Sequence, residues 1–288
     1  MANLKEIRTR IASVNSTKQI TSAMKMVSAA KLRKAQNAIV QLRPYANKLH
    51  ELLSDISQNM DTNEDNVYAQ KREIKKVLIV AISSNRGLCG AFNANVVKKT
   101  VQLMKEDYAN VECNVYAIGK KTRDFFGSKT NKLINSNVEI FDALNFNTAS
   151  VMAEAIMHDF VTKKYDKVIL VYNEFKNAGV QILTDEQFLP IQTEDNSKQK
   201  FQKDYIFEPD KEYIVRELIP KSLKVQFFKA LLDSHASEHG ARMTAMHKAT
   251  DNAIELLKHL RLNYNKARQS AITNEILEIV SGAEALKG

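Results

Sequence analysis

The sequence predicts an antiparallel coiled coil of two long helices, one at each end of the chain, with an α/β domain inserted between them. Three observations carry this prediction: apolar heptads at both ends, few helix-breaking residues there, and alternating strand and helix patterns in the middle. The 288 residues include only eight glycines and four prolines, so the composition is compatible with long uninterrupted helices.

The N-terminal helix is predicted over residues 1–57. Residues 1–86 contain no glycine and one proline, Pro44. Apolar residues recur at spacings of three and four on both sides of Pro44, at Leu4, Ile7, Ile11, Val14, Met24, Val27, Ala35, Ala38, Leu42, Tyr45, Leu49, Leu52 and Ile56. Because the pattern continues through Pro44, this proline is expected to kink the helix and not to end it.

The C-terminal helix is predicted over residues 220–288, with Pro220 separating it from a short helix before it. Apolar or small residues step by three and four at Met243, Met246, Thr250, Ala253, Leu257, Leu260, Tyr264, Ala267 and Ala271. A repeat near 3.5 residues predicts a left-handed supercoil. The two helices flank a middle segment, which makes antiparallel pairing the simplest arrangement.

The middle of the chain is predicted to be a polar linker, 58–75, followed by an α/β domain and foot over 76–219. The predicted strands are 77–82, 111–118, 138–141, 168–172 and 181–191, and the predicted helices are 91–108, 120–126 and 148–164. We expect Thr148 or Ser150 to cap the last of these helices. Alternating strands and helices of these lengths predict a mostly parallel, Rossmann-like sheet.

Positive charge is concentrated in the N-terminal helix. The chain has a formal net charge of +9. The basic residues of this helix are Lys5, Arg8, Arg10, Lys18, Lys25, Lys31, Arg33, Lys34 and Arg43. This pattern is compatible with a solvated helix face, and also with a surface that binds acidic protein or phosphate.

The glycine-containing loops do not have the spacing of nucleotide-binding motifs. Gly87 and Gly90 follow the first predicted strand but do not form G-x-G-x-x-G. Gly119 and Lys120 lie together, yet Asn114 stands where a P-loop requires its first glycine. We therefore predict no nucleotide cofactor.

No set of cysteines and histidines has the spacing of a catalytic or metal site. Cys89 precedes a predicted helix, but His158 is the only histidine of the same domain. His235 and His239 are four residues apart, and without a nearby set of ligands we interpret them as helix-surface histidines. With Cys113, the chain has only two cysteines and no disulfide framework. The residues alone therefore indicate a mechanical or interaction protein.

Four separated blocks carry a resemblance to a known family. They are residues 7–27, 84–90, 241–253 and 272–285, and the last contains Ile272-Thr273-Asn274-Glu275 and Gly282-Ala283. In this order the blocks resemble the gamma subunit of the F-type ATP synthase over essentially the whole chain. At position 85, where the family has aspartate, this chain has Asn85.

The resemblance implies a rotating central stalk. Such a shaft couples proton-driven rotation of the c-ring to ATP synthesis on the beta subunits and catalyses nothing itself. It implies three alpha and three beta subunits, the epsilon subunit and the c-ring as partners, and a delta subunit in the same complex. Nucleic acid is not an implied partner. Membrane contact would occur only through the c-ring, at the cytoplasmic face of the bacterial plasma (inner) membrane, so the chain would be peripheral.

The resemblance also implies contact residues. Met24, Lys25, Arg86, Arg268 and Gln269 are expected to contact the beta subunits. The expected c-ring contacts are Tyr205, Phe207 and Glu208, and the expected place for residues 276–286 is an apolar sleeve. Two other functions follow from the residues: a basic coiled coil that binds nucleic acid, and a Rossmann-like enzyme.

Overall fold

The computed structural model describes residues 4–58, 67–70, 72–130, 132–191 and 211–286. The helices are α1 (Leu4–Gln58), α2 (Phe92–Gln102), α3 (Lys120–Lys129), α4 (Phe146–Val161) and α5 (Lys211–Ala285). The strands are β1 (Lys76–Ile82), β2 (Glu112–Ile118), β3 (Leu133–Asn137), β4 (Lys167–Asn177) and β5 (Val180–Leu189). One π-helical turn, Leu103–Asp107, follows α2 directly. The predicted combination of long terminal helices and an inserted α/β segment is confirmed.

The five strands form one sheet in the order β3-β2-β1-β4-β5. β1 pairs in parallel with β2 and β4, and β2 pairs in parallel with β3. Only β5 is antiparallel to its neighbour, because it returns from β4 through a tight hairpin. The prediction of a mostly parallel sheet is therefore confirmed.

Two apolar cores cover the two faces of the sheet. On one face, Leu78 of β1 shares a core with Phe160 of α4 and Phe227 of α5. On the other face, Ile79 of β1 shares a core with Phe126 of α3. Successive strand residues point to opposite faces. The continuous apolar run of β1 thus reflects a strand that is buried on both sides.

Contacts divide the chain into two compact units, residues 1–28 with 243–288 and residues 29–242. In the first unit, α1 and α5 pack as an antiparallel pair. Arg8 Nη2 donates to Tyr264 Oη at 2.8 Å, and Thr250 Oγ1 donates to Thr21 Oγ1 at 2.8 Å. Early residues of α1 thus meet late residues of α5. The buried residues of this seam are Ile7, Thr21, Ser28, Met246, Ala253 and Leu257.

The second unit contains the sheet, α2, α3, α4 and the remaining parts of α1 and α5. The buried apolar residues of α1 in this unit are Leu32, Ala35, Ile39 and Leu49. From α5, residues four apart enter the core: Ile219, Leu223, Phe227 and Leu231. The domain division at residues 57, 75 and 219 stays a prediction.

One predicted strand is wrong. Residues 138–141 are irregular, and the third strand is β3, immediately before them. The Asn137 side chain accepts hydrogen bonds from the backbone N–H groups of Glu139 and Ile140, at 3.1 and 3.0 Å. Such an Asx turn ends the strand. Among the described strands, β3 pairs only with β2, and it is largely polar. Its sequence therefore lacks the apolar signal of a central strand.

Two predicted helix boundaries are also wrong. α4 begins at Phe146, and its N-cap is Asn145, whose side chain accepts from the Thr148 backbone N–H at 2.9 Å. Pro220 lies inside α5 and does not end a separate helix. Ile219 and Leu223 are buried on either side of it. Their packing stabilises the continuous helix, although the proline removes one backbone hydrogen bond.

Candidate functional site

The loop after β1, residues 83–90, lies at the carboxyl end of the central strand. Between β1 and β4 the strand order reverses, and open α/β sheets usually bind ligands at such a point. Ser83 Oγ lies 2.9 Å from Thr122 Oγ1 and accepts from the Thr122 backbone N–H at 3.0 Å. Gly119 has a φ of +99°, and a Cβ there would lie 2.2 Å from the Ser83 carbonyl oxygen. The loop is thus packed tightly against the start of α3.

Asn85 ties this loop to two further segments. Its Nδ2 donates to the Val138 carbonyl oxygen at 2.6 Å, and its Oδ1 accepts from the Lys120 backbone N–H at 3.0 Å. An ionised aspartate can accept but cannot donate. The amide therefore makes one hydrogen bond that an aspartate at this position could not make.

Arg242 of α5 binds the same loop from the other side. Its guanidinium donates to the carbonyl oxygens of Arg86, at 3.1 Å, and Gly87, at 3.3 Å. It also pairs with Glu238 at 2.7 Å, and both side chains are about nine-tenths buried. Burial raises the pKa of Glu238, and the charge of Arg242 partly offsets this effect. Arg242 thus already forms hydrogen bonds with backbone carbonyl oxygens of the loop at the switch point, which is the place where the strand order reverses.

His235 and His239 are not the surface histidines that we predicted. Their Nε2 atoms lie 3.2 Å apart, and the His235 ring stacks on Phe141. Burial lowers the pKa of His235 to about 4. The pKa of His239 falls to about 3, chiefly through burial and also through the nearby His235 and Arg242. Both rings are therefore neutral near pH 7. Arg242 Nη1 lies 3.4 Å from His239 Nδ1, so His239 has its proton on Nε2 and donates it toward His235.

The sequence contained a signal for this buried polar group that our prediction missed. The buried apolar residues Ile219, Leu223, Phe227 and Leu231 recur every four residues, and the same spacing continues to His235 and His239. Asp233 of the same segment has no exposed surface. Burial raises its pKa to about 6, although the nearby charges of Arg43 and Lys229 lower it.

Cys89 is inert in this environment. It is buried, and Asn93 Nδ2 donates to its Sγ at 3.1 Å. Burial raises the pKa of the Cys89 thiol, which disfavours the nucleophilic thiolate. Within the described ranges, no three His, Cys, Asp or Glu residues are placed to hold a metal ion.

The predicted contact residues occupy different places in the chain. Met24 and Lys25 lie on α1 and are partly buried, and Arg268 and Gln269 are exposed on α5, all in the first unit. The side chain of Arg86 is exposed in the loop of the second unit. The remaining three, Tyr205, Phe207 and Glu208, lie outside the described residues.

The contacts expected on α1 and α5 are far apart along the first unit. Thr21 meets Thr250, so the level of Met24 corresponds to α5 residues just before Thr250. Arg268 lies roughly 20 residues farther along α5, or about 30 Å at 1.5 Å per residue. The structure therefore forms two separate candidate contact regions.

A groove with a basic rim lies between these two regions. Its volume is about 330 Å³, and its lining residues are Lys18, Ile254, Leu257, Lys258, Arg261, Leu262 and Asn265. The lining includes three basic side chains and no carboxylate. Beyond Arg268, the exposed apolar residues of α5 include Ile272, Ile276, Leu277, Ile279 and Val280. Both surfaces favour contact with other protein chains.

Comparison with known proteins identifies the family. A family model described as ATP synthase matches residues 3–286. A protein of Christiangramia forsetii named ATP synthase gamma chain is 60% identical over 288 residues, covering 100% of both chains. The chain belongs to the ATP synthase gamma chain family. Another gamma chain, of Cytophaga hutchinsonii, is 55% identical over 296 residues and covers 99% of both chains.

Chains in solved structures of ATP synthases have the same fold. The central stalk and c-ring structure of the Tetrahymena thermophila mitochondrial ATP synthase contains a chain that is 29% identical, with a TM-score of 0.61. That match covers 80% of this chain and 99% of the other. A chain of the Euglena gracilis mitochondrial ATP synthase has a TM-score of 0.70 at 22% identity, covering 98% and 94%. The predicted gamma chain resemblance is therefore confirmed.

Proposed function

We propose that this chain is the rotor shaft of an F-type ATP synthase, which couples proton-driven rotation of the c-ring to ATP synthesis on the beta subunits. The observation that carries this proposal is the gamma chain relationship over the full length of the chain. The antiparallel helix pair of the first unit supports it, since a paired helix is stiffer than a single one. The same relationship leaves the nucleic-acid-binding alternative without support.

The proposed shaft carries out no chemistry of its own. The loop after β1 supports this proposal. Arg242 donates to the Arg86 and Gly87 carbonyl oxygens at the switch point of the sheet, where open α/β sheets usually bind ligands, so these oxygens already have a partner from the chain itself. Coupling would act through different contacts with each beta conformation, which is what any conformational coupling requires. The proposed beta contacts are Met24, Lys25, Arg86, Arg268 and Gln269.

The proposed partners are three alpha and three beta subunits, the epsilon subunit and the c-ring, with a delta subunit in the same complex. The basic groove at Lys18, Lys258 and Arg261 supports an acidic protein partner. Tyr205, Phe207 and Glu208 remain the proposed c-ring contacts. No described helix combines the length and apolar character that a membrane span needs. We place the chain at the cytoplasmic face of the bacterial plasma membrane, as a peripheral subunit.

Reconstitution with purified alpha, beta and epsilon subunits tests the function. The chain should copurify with them and restore ATP hydrolysis coupled to rotation, whereas the chain alone should turn over no ATP. Turnover by the chain alone would refute the non-catalytic proposal. Salt-sensitive binding to DNA, without assembly, would favour the nucleic-acid alternative.

A charge reversal at Lys25 tests the proposed contact with beta. Lys25→Glu should reduce rotation-coupled ATP hydrolysis by the reconstituted complex, because it would place a negative charge against an acidic surface. The free energy of unfolding of the chain itself should change by about 1 kcal/mol or less, because Lys25 is only partly buried. Lys98→Glu is the matched control, since Lys98 is exposed on α2 and is not a proposed contact. Full coupling in Lys25→Glu would contradict the contact.

A further inference from the structure

Asp233 is a buried carboxylate whose oxygens lack a well-aligned hydrogen bond. Its side chain has no exposed surface, and within the described chain no donor reaches either oxygen with good hydrogen-bond geometry. The backbone N–H of Phe175 is near enough to lower the pKa of Asp233, but it does not complete such a bond. The Arg43 guanidinium lies 3.5 Å from Asp233 Oδ1. The same nitrogen, Nη2, donates to the Phe175 carbonyl oxygen at 3.0 Å. Arg43 therefore supplies positive charge to Asp233, while its hydrogen bond goes to another group.

Ser237 adds a second unsatisfied group on the same side of α5. It is fully buried, and its hydroxyl also has no hydrogen-bond partner in the described chain. Residues four apart in a helix are neighbours on one face, so Ser237 and Asp233 lie one turn apart. Leaving one such buried group unsatisfied costs about 1–3 kcal/mol. A further hydrogen-bond donor or acceptor between Asp233 and Ser237 would therefore stabilise the folded chain.

The chemistry of the site favours a small neutral donor. Two acceptors of Asp233 and one hydroxyl match a water molecule, which donates twice and binds two to four polar groups in protein interiors. Arg43 of α1 and Lys229 of α5 already act on Asp233 with positive charge, while Glu174 of β4 acts with negative charge. The two basic groups balance the two carboxylates, so the site has no excess negative charge that would attract a metal cation.

We propose that Asp233 and Ser237 hold an ordered internal water molecule beside Arg43, where α1, α5 and β4 meet. The water donates to Asp233 and exchanges a hydrogen bond with Ser237. It thereby links two polar groups on one face of α5, next to the contact that Arg43 of α1 makes with Asp233. This proposal does not depend on the proposed function.

A pair of substitutions tests the proposed water bridge by comparing the effect of Ser237→Ala on stability with and without Asp233. In the full chain at pH 8, Ser237→Ala should lower the folded-to-unfolded ratio about tenfold, because the water loses one of its anchors. In an Asp233→Leu background, the serine has no carboxylate to bridge, and Ser237→Ala should leave the ratio unchanged or raise it. Urea unfolding measures all four proteins. Any result in which the effect of Ser237→Ala does not depend on Asp233 overturns the proposal.

A structure that shows ordered solvent tests it directly. We expect a water at about 2.8 Å from an Asp233 carboxylate oxygen and from Ser237 Oγ. A direct hydrogen bond from Arg43 to Asp233, with no density between Asp233 and Ser237, overturns the proposal. This measurement requires no variant and therefore does not depend on how well a substituted chain folds.

Discussion

The buried carboxylate of Asp233 makes the stability of the chain depend on pH. Its pKa rises from an ordinary value of 3.8 to about 6, chiefly because burial disfavours the charged form. A tenfold change in proton affinity corresponds to about 1.4 kcal/mol, so this shift is equivalent to about 3 kcal/mol. The side chain has no exposed surface, so solvent screening does not reduce this value.

The sign follows from which state holds the proton more tightly. The folded chain binds the proton of Asp233 more tightly than the unfolded chain does. The stabilisation is therefore fully present below pH 3.8 and is lost as the pH rises through about 6. Asp233→Asn resembles the protonated acid at every pH. Relative to the wild type, it should gain about 2.4 kcal/mol of unfolding free energy between pH 4 and pH 8.

Urea unfolding of the full chain at pH 4, 6 and 8 measures this gain. Other groups that titrate contribute equally to both proteins, so the difference between them isolates Asp233. Asp124→Asn is the control, because it removes an exposed carboxylate that pairs with Arg123 on the surface, and such pairs contribute about 1 kcal/mol at most. An Asp233→Asn advantage that is the same at pH 4 and pH 8 would refute the reasoning.

Two further predictions concern the loop after β1. Arg242→Met should lower the unfolding free energy by about 3–5 kcal/mol, because it leaves Glu238 buried without its partner. Adding Glu238→Gln should recover part of this loss. An unchanged urea midpoint in Arg242→Met would contradict the pairing. Gly119→Ala should cost at least about 2 kcal/mol, since its Cβ would lie 2.2 Å from the Ser83 carbonyl oxygen at a φ of +99°. Gly90→Ala is the matched control: φ is also positive there, but no atom lies within 4 Å of the added Cβ, so a similar loss in both variants would argue against the steric contact.

The sequence predicted those elements whose residues face one environment throughout. β1 is apolar along its length because both faces are buried, and the heptads of the first unit follow from a single packed seam. β3 was missed because it is an edge strand with polar residues. The local rule for proline predicts a helix boundary at Pro220, because it does not include the packing of Ile219 and Leu223 that stabilises the continuous helix.

The buried polar groups could be predicted only in part. The four-residue repeat that ends at Leu231 continues to His235 and His239, so their burial was readable from spacing. The hydrogen bonds from Arg242 to Arg86 and Gly87 were not readable, because these residues lie about 155 positions apart in the chain. Only the folded sheet brings such distant segments together, and sequence periodicity reports neighbours within one element.

The distance between Met24 and Arg268 has a mechanical consequence for the proposed shaft. A rod that is gripped at one level can tilt about that level, and part of any applied torque is then lost as wobble. Two bearings about 30 Å apart along the rod remove that freedom and leave rotation about the long axis as the easy motion. The antiparallel register that Thr21 and Thr250 fix would therefore set the spacing of the two proposed contact regions as well as the pairing of the helices.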